Sequence, residues 1–343
     1  MVNARKPDEP TRGTDGTGLR MLTAYAISDR GPEERPLGPD GAGPEIGWID
    51  LYDPDLPEER IAEQFLGAGI PTREETREIE FTSRFYVEEG ALFMTASLLV
   101  GIDQGTPGLT PFTFCVRKDK LVTLRYAHMT AFRQFLLRAP KVDSGCITAN
   151  GVFAGLLEAI IDRAADVVEH ITQNVDRLNS DIFSPQSRGR QRGRNLAASI
   201  EGLGAQGDLA SKARESLASL ERLAQYASAM LPERKGDGLP ARLKLMLRDI
   251  RSLEDHVNFL LNKITFLLDA TLGLISNEQN RVVSVLTVVS TILLPPMLIG
   301  TIYGMNFRDM PELSWMFGYP VAVTAMIVSA VVPYLYFRWR GWM

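Results

Sequence analysis

The stretch that decides the fold lies near the carboxyl end and reads VVSVLTVVSTILLPPMLIGTIYGMNF over residues 282–307. It holds no charged residue, and a second uncharged stretch, LSWMFGYPVAVTAMIVSAVVPYLYF, covers residues 313–337. About 20 apolar residues are enough for a helix to cross a bilayer core of about 30 Å, so the two stretches predict two transmembrane helices. A buried helical hairpin of a soluble protein is the alternative, but two uncharged runs of this length are rare in a soluble core.

Basic residues near these stretches predict an orientation. Arg281 precedes the first span, and Arg338 and Arg340 follow the second, whereas the connecting loop, residues 304–317, carries one arginine and two acids. By the positive-inside tendency, both termini are cytoplasmic and the loop is outside. The polar amino terminus has no apolar run typical of a secretory signal, which agrees with a cytoplasmic amino-terminal part.

Composition argues against several classes of protein. A formal net charge of −5, with no basic excess over a whole domain, does not fit a nucleic-acid-binding protein. The Gly-rich residues 13–18 lack the preceding strand and the Gly-Lys-Ser/Thr ending of a phosphate-binding loop, so we expect neither a nucleotide nor an ATP-driven pump. Cys115 and Cys146 do not make a disulfide framework. The three histidines are far apart in the chain, and no metal-ligand or nucleophile–base spacing points to an enzyme.

Residues 19–150 alternate short apolar runs with helical stretches, which predicts an α/β domain with a mixed sheet. Residues 1–18, ahead of it, are rich in Gly, Pro, Thr and charge and predict a disordered terminus. Helices are expected at 57–66 and 129–137. The candidate strands are 21–27, 46–51, 80–86, 91–100, 112–116 and 120–124, and the last two read as a hairpin.

Long helices follow the α/β domain. Residues 151–235 predict an antiparallel helical hairpin, with helices at 152–183 and about 196–231 and a basic turn at 188–194. That turn is either solvated or in contact with anionic membrane lipids. Apolar residues then recur at alternating spacings of four and three, which is the seam of helices packed side by side. Because no Gly or Pro cluster interrupts it, a single stalk helix is predicted over 241–303, continuous with the first span at about 282–303. A second span at 318–337 and a tail at 338–343 complete the chain.

Polar residues of the first span share one predicted helical face: Asn280, Ser284, Thr287, Thr291 and Thr301. One reading is that the hydroxyls help helices pack, or donate to carbonyls of their own helix. The other is that the stripe lines a water-filled path. Two spans cannot enclose a pore, so the second reading requires several copies around an axis.

The outer end of the first span combines helix-breaking and polar residues. Pro295 and Pro296 remove amide donors and free carbonyls, which either face a wet lumen or belong to a packed kink. Gly304 and Asn306 offer carbonyl and amide oxygens at the end of the span. A ring of such oxygens suits a hard divalent ion that keeps its water, as Mg²⁺ does. An ordinary helix carboxyl-terminal cap is the alternative.

At these residues the sequence resembles the CorA family of divalent-cation channels. YGMNF at 303–307 matches the hallmark of that family, and MPEL at 310–313 matches the segment that follows it. Further matching pieces are SNEQNR at 276–281, LPP at 294–296, GYP at 318–320 and PYLYF at 333–337, and they are most similar to the proteobacterial branch.

The resemblance implies a funnel-shaped homopentamer in the bacterial inner membrane. Its fold would be an α+β cytoplasmic domain with a mixed α/β/α sheet, a long α-helical stalk and two carboxyl-terminal transmembrane helices. The implied activity is import of Mg²⁺, with Co²⁺ and Ni²⁺ as additional permeant ions, gated by intracellular Mg²⁺ bound between subunits. Divalent ions, membrane lipids and further copies of the chain are the expected partners, with no nucleic acid, nucleotide or organic cofactor.

The likeness also assigns residues. Gly304, Met305 and Asn306 would form the selectivity filter. The pore-lining residues would be Asn280, Val283, Leu286, Thr287, Ser290, Leu294, Met297 and Thr301. The loop at the outer mouth would present Arg308, Asp309 and Glu312. The candidates for regulatory metal binding are Glu88, Glu89, Asp249, Glu254 and Asp255, each of which also fits a solvated charge.

Two positions depart from the family pattern. Arg308 stands where the family usually carries an acid, and we expect weaker ion capture from it rather than anion selectivity. Met297 stands where many relatives have Thr, which makes that ring of the lumen less polar. Two other functions stay open: a transporter of Zn²⁺ or another transition metal, and a membrane-anchored interaction or sensing protein that conducts no ions.

Overall fold

A computed structural model describes residues 22–28, 30–37, 42–78, 80–139, 145–184, 190–231, 238–305 and 316–341. The chain divides into two compact units, one of residues 1–177 with 204–264 and one of residues 178–203 with 265–343. We call the first the α/β unit and the second the helical unit. The predicted disorder of residues 1–18 lies outside the described residues, as does most of the loop after Met305.

The α/β unit is built on one seven-stranded sheet. Its strands are β1 (Leu22–Ser28), β2 (Gly31–Arg35), β3 (Ile46–Tyr52), β4 (Phe85–Glu88), β5 (Ala91–Val100), β6 (Gly108–Arg117) and β7 (Lys120–Arg125). Their order across the sheet is β2-β1-β3-β7-β6-β5-β4. The pair β3–β7 is parallel and the other pairs are antiparallel, so the predicted mixed sheet is confirmed.

Local chemistry explains where the strand predictions succeed and fail. The predicted β6–β7 hairpin is confirmed, and Lys118 adopts a positive φ of 52° in its turn. The strand predicted at 80–86 is wrong in its first part, because Phe81–Arg84 is a helical turn, α3. The Arg84 guanidinium donates to the Glu78 carbonyl at 2.6 Å and closes this turn before β4 begins. Strand β2 was not predicted, since its residues GPEER suit only a sheet edge, where proline and charge are tolerated.

Both faces of the sheet are covered by helices. On one face, α1 (Leu56–Leu66) packs Phe65 and Leu66 into a cluster of buried side chains that includes Ile49. On the other face, Trp48 lies 5.5 Å, between ring centroids, from Phe132 of α4 (Thr130–Arg138). A short helix, α2 (Arg73–Arg77), follows α1. Because both faces are buried, the central strands are apolar on both sides, and the predicted α/β/α layering is confirmed.

Three long helices follow: α5 (Ala149–Phe183), α6 (Arg190–Met230) and α7 (Leu239–Tyr303). Helix α6 begins at Arg190, so the basic turn predicted over residues 188–194 is wrong from that residue on. Within the α/β unit, α7 buries Met246, Ile250, Val257, Leu260 and Ile264. These residues follow the predicted spacing of four and three, which confirms this part of the seam.

Ion pairs join α7 to α5 in the α/β unit. Arg242 pairs with Glu158 of α5 at 2.7 Å, and Lys263 pairs with Asp176 of α5 at 2.5 Å. The sequence numbers of both partners rise together, so α5 and α7 run parallel.

The helical unit contains the two apolar helices. The carboxyl-terminal part of α7 and α8 (Gly318–Trp339) are long and apolar enough to cross a membrane, with mean hydropathies of 2.3 and 1.8 in their most apolar windows. Helix α7 is continuous over 65 residues, about 98 Å at 1.5 Å per residue, and Pro295 and Pro296 do not end it. The two predicted spans are therefore helices in this structure.

Candidate functional site

The apolar part of α7 has one covered face. Val288 is 3% exposed, Ser284 and Ile292 lie about one turn on either side of it, Ile299 lies two turns beyond Ile292, and all three are half-buried. Near the carboxyl end of α7, Gly300 lies against Met326 of α8. This face therefore packs within the helical unit.

The opposite side of the same segment is open, and we call it the open stripe. It begins at Asn280 and ends at Thr301, at alternating spacings of three and four, and Leu286 lies along its edge. The structure places all eight predicted pore-lining residues on it, and every one is exposed: Asn280, Val283, Leu286, Thr287, Ser290, Leu294, Met297 and Thr301. Leu294 is 62% exposed and Met297 72%.

Hydroxyl groups of this segment bond to their own helix. Thr287 donates to the Val283 carbonyl at 2.9 Å, and Thr301 donates to the Met297 carbonyl at 2.8 Å. Ser284 and Thr291 make the same bond four residues back. The back-bonding alternative therefore holds for each of them, and Ser284 points toward the covered side rather than along the predicted polar face. Each of these hydroxyls donates its proton to a carbonyl of its own helix. The exposed hydroxyl oxygen can therefore only accept hydrogen bonds from other groups.

The end of α7 shows why glycine stands at position 304. The Gly304 amide donates to the carbonyls of Gly300 at 3.0 Å and Thr301 at 3.2 Å, and the Met305 amide donates to Ile302 at 3.2 Å. A β-carbon on Gly304 would lie 3.2 Å from the Gly300 oxygen, so glycine permits a close backbone approach here. The other predicted filter residue, Asn306, and the loop residues Arg308, Asp309 and Glu312 lie outside the described residues.

The predicted regulatory residues lie on separate elements. Glu88 ends β4 and Glu89 forms the following turn with a φ of 49°, whereas the other three lie on α7: Asp249, Glu254 and Asp255. Burial, then Glu221 and Asp255, raises the pKa of Glu254. Among the residues that the structure describes, no three His, Cys, Asp or Glu side chains lie close enough to hold a metal. A site shared between copies of the chain stays a prediction.

Sequence reasoning missed a buried ion pair in the sheet. Asp50 of β3 accepts from Arg125 of β7, with 2.9 Å between Nη2 and Oδ2 and side chains only 3% and 11% exposed. Thr123 donates to the Asp50 carboxylate at 2.7 Å and accepts from the Trp48 indole at 3.0 Å. The only sequence signal was an acid inside an otherwise apolar strand, WIDLY. The pair joins the two parallel strands and is structural.

These features define a class: membrane proteins in which an α/β domain precedes long helices, the last long helix ends in an apolar segment, and a second apolar helix follows near the carboxyl end. The sequence profile described as CorA-like Mg²⁺ transporter protein matches residues 44–339. The magnesium transport protein CorA of Escherichia coli is 34% identical over 298 residues, which are 86% of this chain and 92% of that protein. The protein of the same name from Yersinia pseudotuberculosis is 33% identical over the same shares. The chain belongs to the CorA family, as its motifs indicated.

Solved structures agree on the fold. The complete structure of the CorA magnesium transporter from Methanocaldococcus jannaschii matches with a TM-score of 0.72 and 18% identity, covering 95% of this chain and 99% of that one. The cytoplasmic domain of ZntB from Vibrio parahaemolyticus matches with a TM-score of 0.52 and 8% identity, covering 76% of this chain and 99% of that domain. The predicted fold class of an α/β domain, a long helix and two terminal apolar helices is confirmed.

Proposed function

We propose that this chain is one subunit of a homopentameric, channel-like importer of hydrated Mg²⁺, with Co²⁺ and Ni²⁺ as additional permeant ions. It acts in the bacterial inner membrane, with both termini in the cytoplasm and lipid around the spans. The proposal draws on curated relatives named magnesium transport proteins and on the open stripe of α7. The membrane potential drives entry, at about 2.3 kcal/mol per charge per 100 mV.

The open stripe is the observation that carries the proposal. A single chain covers one face of the apolar segment of α7 and leaves the rest exposed, and most of the exposed uncharged polar residues lie on the open stripe. Polar groups are costly against lipid, so this face belongs toward other copies or water. Several copies arranged about an axis turn the stripe into the wall of a shared path.

The chemistry of the stripe suits a hydrated cation. Thr287 and Thr301 use their protons on backbone carbonyls, so they offer lone pairs to the lumen. Water bound to Mg²⁺ presents hydrogens outward, and Mg²⁺ gives up that water reluctantly. A wall that accepts hydrogen bonds can therefore hold the hydrated ion without stripping it.

In this proposal, ion selection and pore closure take place at different positions along the path. Gly304, Met305 and Asn306 form the outer filter, where uncharged oxygens meet the hydrated ion. Arg308 at the outer mouth weakens ion capture, and Asp309 and Glu312 offset it. Apolar rings of Leu286 and Leu294 close the path by dewetting when intracellular Mg²⁺ occupies regulatory sites between subunits.

Uptake into liposomes tests this function. The purified protein should carry Mg²⁺, and cobalt hexaammine, a mimic of hydrated Mg²⁺, should block it. Asn306→Ala should lower Mg²⁺ uptake at least about tenfold, which corresponds to about 1.4 kcal/mol at the filter. Asn174→Ala, which removes an amide on α5 far from the apolar helices in the sequence, is the matched control and should leave uptake unchanged.

The same assay separates the alternatives. Parallel traces with Co²⁺, Ni²⁺ and Zn²⁺ rank the permeant ions, and transport of Zn²⁺ in preference to Mg²⁺ would identify a zinc transporter. Unchanged uptake in Asn306→Ala would refute the filter. The absence of any ion flux would leave a non-conducting membrane protein.

A further inference from the structure

A cavity in the α/β unit is lined by three arginines: Arg73, Arg77 and Arg84. Its volume is about 370 Å³, and it lies beside α2 and the strands β5 and β6. Among the described residues that line it, none carries a carboxylate. Arg73 and Arg77 of α2 and Arg84 of α3 thus share a cavity wall whose described residues include no acid.

The three guanidinium groups are only partly engaged. Arg73 lies over the Tyr126 ring, 5.0 Å from its centroid, and pairs with Asp53 at 3.2 Å, where both side chains are about half exposed. Such an exposed pair contributes little and leaves donors available. Arg77 is exposed and makes no hydrogen bond or ion pair with the residues that the structure describes.

The third arginine, Arg84, is fixed by hydrogen bonds and lies near another positive charge. Arg84 donates to the Glu78 carbonyl at 2.6 Å and to the Ser97 hydroxyl at 3.2 Å, which fixes its direction. Burial, and then the charge of Arg222, lowers the pKa of Arg84, and Glu215 only partly compensates. A bound anion would relieve both effects.

Hydroxyl groups complete the wall. The Tyr126 hydroxyl is buried without a hydrogen bond of ordinary geometry to any described residue. The neighbouring Thr76 hydroxyl donates its own proton to the Arg73 carbonyl at 2.9 Å. Burial raises the pKa of Tyr126 to about 12, which Thr76 lowers slightly, so the phenol keeps its proton at physiological pH. The phenol therefore remains a proton donor in the cavity wall, with Arg73 over its ring.

We propose that this cavity binds a compact phosphate-type anion, either inorganic phosphate or the phosphoryl group of a small metabolite. Guanidinium groups form paired, charge-assisted hydrogen bonds to phosphate oxygens. Three guanidinium groups suit a dianionic phosphate ligand better than a ligand with one carboxylate group. The phenol of Tyr126 supplies one further donor. The volume exceeds that of a lone phosphate ion, which leaves room for a small organic part.

Calorimetric titration of the full-length protein in detergent at constant ionic strength tests the site. Inorganic phosphate, glycerol phosphate and sulfate are the three probes, and tighter binding of the monoester than of inorganic phosphate would identify a phosphorylated metabolite. We expect saturable phosphate binding. Arg77→Gln should weaken it about tenfold or more, and Tyr126→Phe about threefold to tenfold.

Arg60→Gln is the matched control, because Arg60 is also exposed but lies on α1 outside the cavity lining. It should bind phosphate as the original protein does. Heats that never saturate, or equal affinity in Arg77→Gln and the original protein, would overturn the proposal. So would a lack of phosphate binding because a neighbouring copy fills the cavity. Should Arg77→Gln fail to fold, Tyr126→Phe decides, since it removes one oxygen and keeps the ring.

Discussion

The α/β unit and the apolar segment of α7 differ in whether their apolar and polar side chains are buried by the chain itself. In the α/β unit, Leu260 is fully buried, and the charges of Asp50 and Arg125 are buried together. In the apolar segment, Leu294 is 62% exposed, and the Thr301 hydroxyl donates to a carbonyl of its own helix. One chain is enough to complete the first region. The second presents an apolar surface that one chain leaves largely exposed.

The largest expected effect comes from breaking the buried pair. Arg125→Ala leaves Asp50 as an unpaired buried acid and should lower the free energy of unfolding by about 3–5 kcal/mol. Both cysteines of the chain, Cys115 and Cys146, are buried in the α/β unit, so their labelling in increasing urea reports the opening of that unit alone.

Arg35→Ala is the control for this variant. Arg35 pairs with Glu33 at 3.1 Å on an exposed edge strand, so its loss should change the free energy of unfolding by less than about 0.5 kcal/mol. Similar urea midpoints for the two variants would show that the sheet does not depend on its buried pair.

A smaller effect is expected along α7, where two adjacent residues differ in burial. Leu260→Ala should lower the free energy of unfolding by about 3 kcal/mol, because it leaves a cavity in the seam. Phe259 is 58% exposed, and Phe259→Ala should cost less than about 1 kcal/mol in the same thiol-labelling assay. Equal losses would mean that this side of α7 is also covered in the assembled protein.

The smallest effect concerns the open stripe. Thr301→Val keeps the shape of the side chain and removes its oxygen, so Mg²⁺ uptake into liposomes should fall about threefold to tenfold, as expected for one lost hydrogen-bond acceptor. Thr301→Ser should retain most of the uptake.

Thr324 provides the matched control for this change. It makes the same bond to its own helix, to the Pro320 carbonyl at 2.8 Å, but it lies on α8. Thr324→Val should leave uptake unchanged. A loss equal to that of Thr301→Val would show that the hydroxyls matter for helix stability rather than for the ion.

Features carried by local pattern could be predicted from the sequence. The absence of charge over residues 282–307 predicted the first apolar helix, and the alternation from Met246 to Ile264 predicted the buried side of α7. The hairpin of β6 and β7 followed from two apolar runs around a short polar turn. In each case the residues that predict the element lie within one continuous stretch of the sequence.

Features that depend on distant partners could not be predicted. The turn at Phe81–Arg84 is closed by a side chain bonding to a carbonyl six residues earlier, which no hydrophobic period reveals. The arginine cavity joins Arg73, Arg84 and Tyr126, which are brought together only by the packing of the sheet. The open stripe was predictable as a pattern, but its exposure within one chain and the inward direction of its hydroxyl protons required coordinates.

The hydrogen bonds from these threonine hydroxyls to their own helix also affect how the open stripe would interact with anions. Chloride and other anions need hydrogen-bond donors to replace their water, and the Thr287 and Thr301 hydroxyls have already given theirs to the backbone. At the levels of Thr287 and Thr301, a lumen built from this stripe would therefore disfavour anions through the orientation of its hydroxyl dipoles.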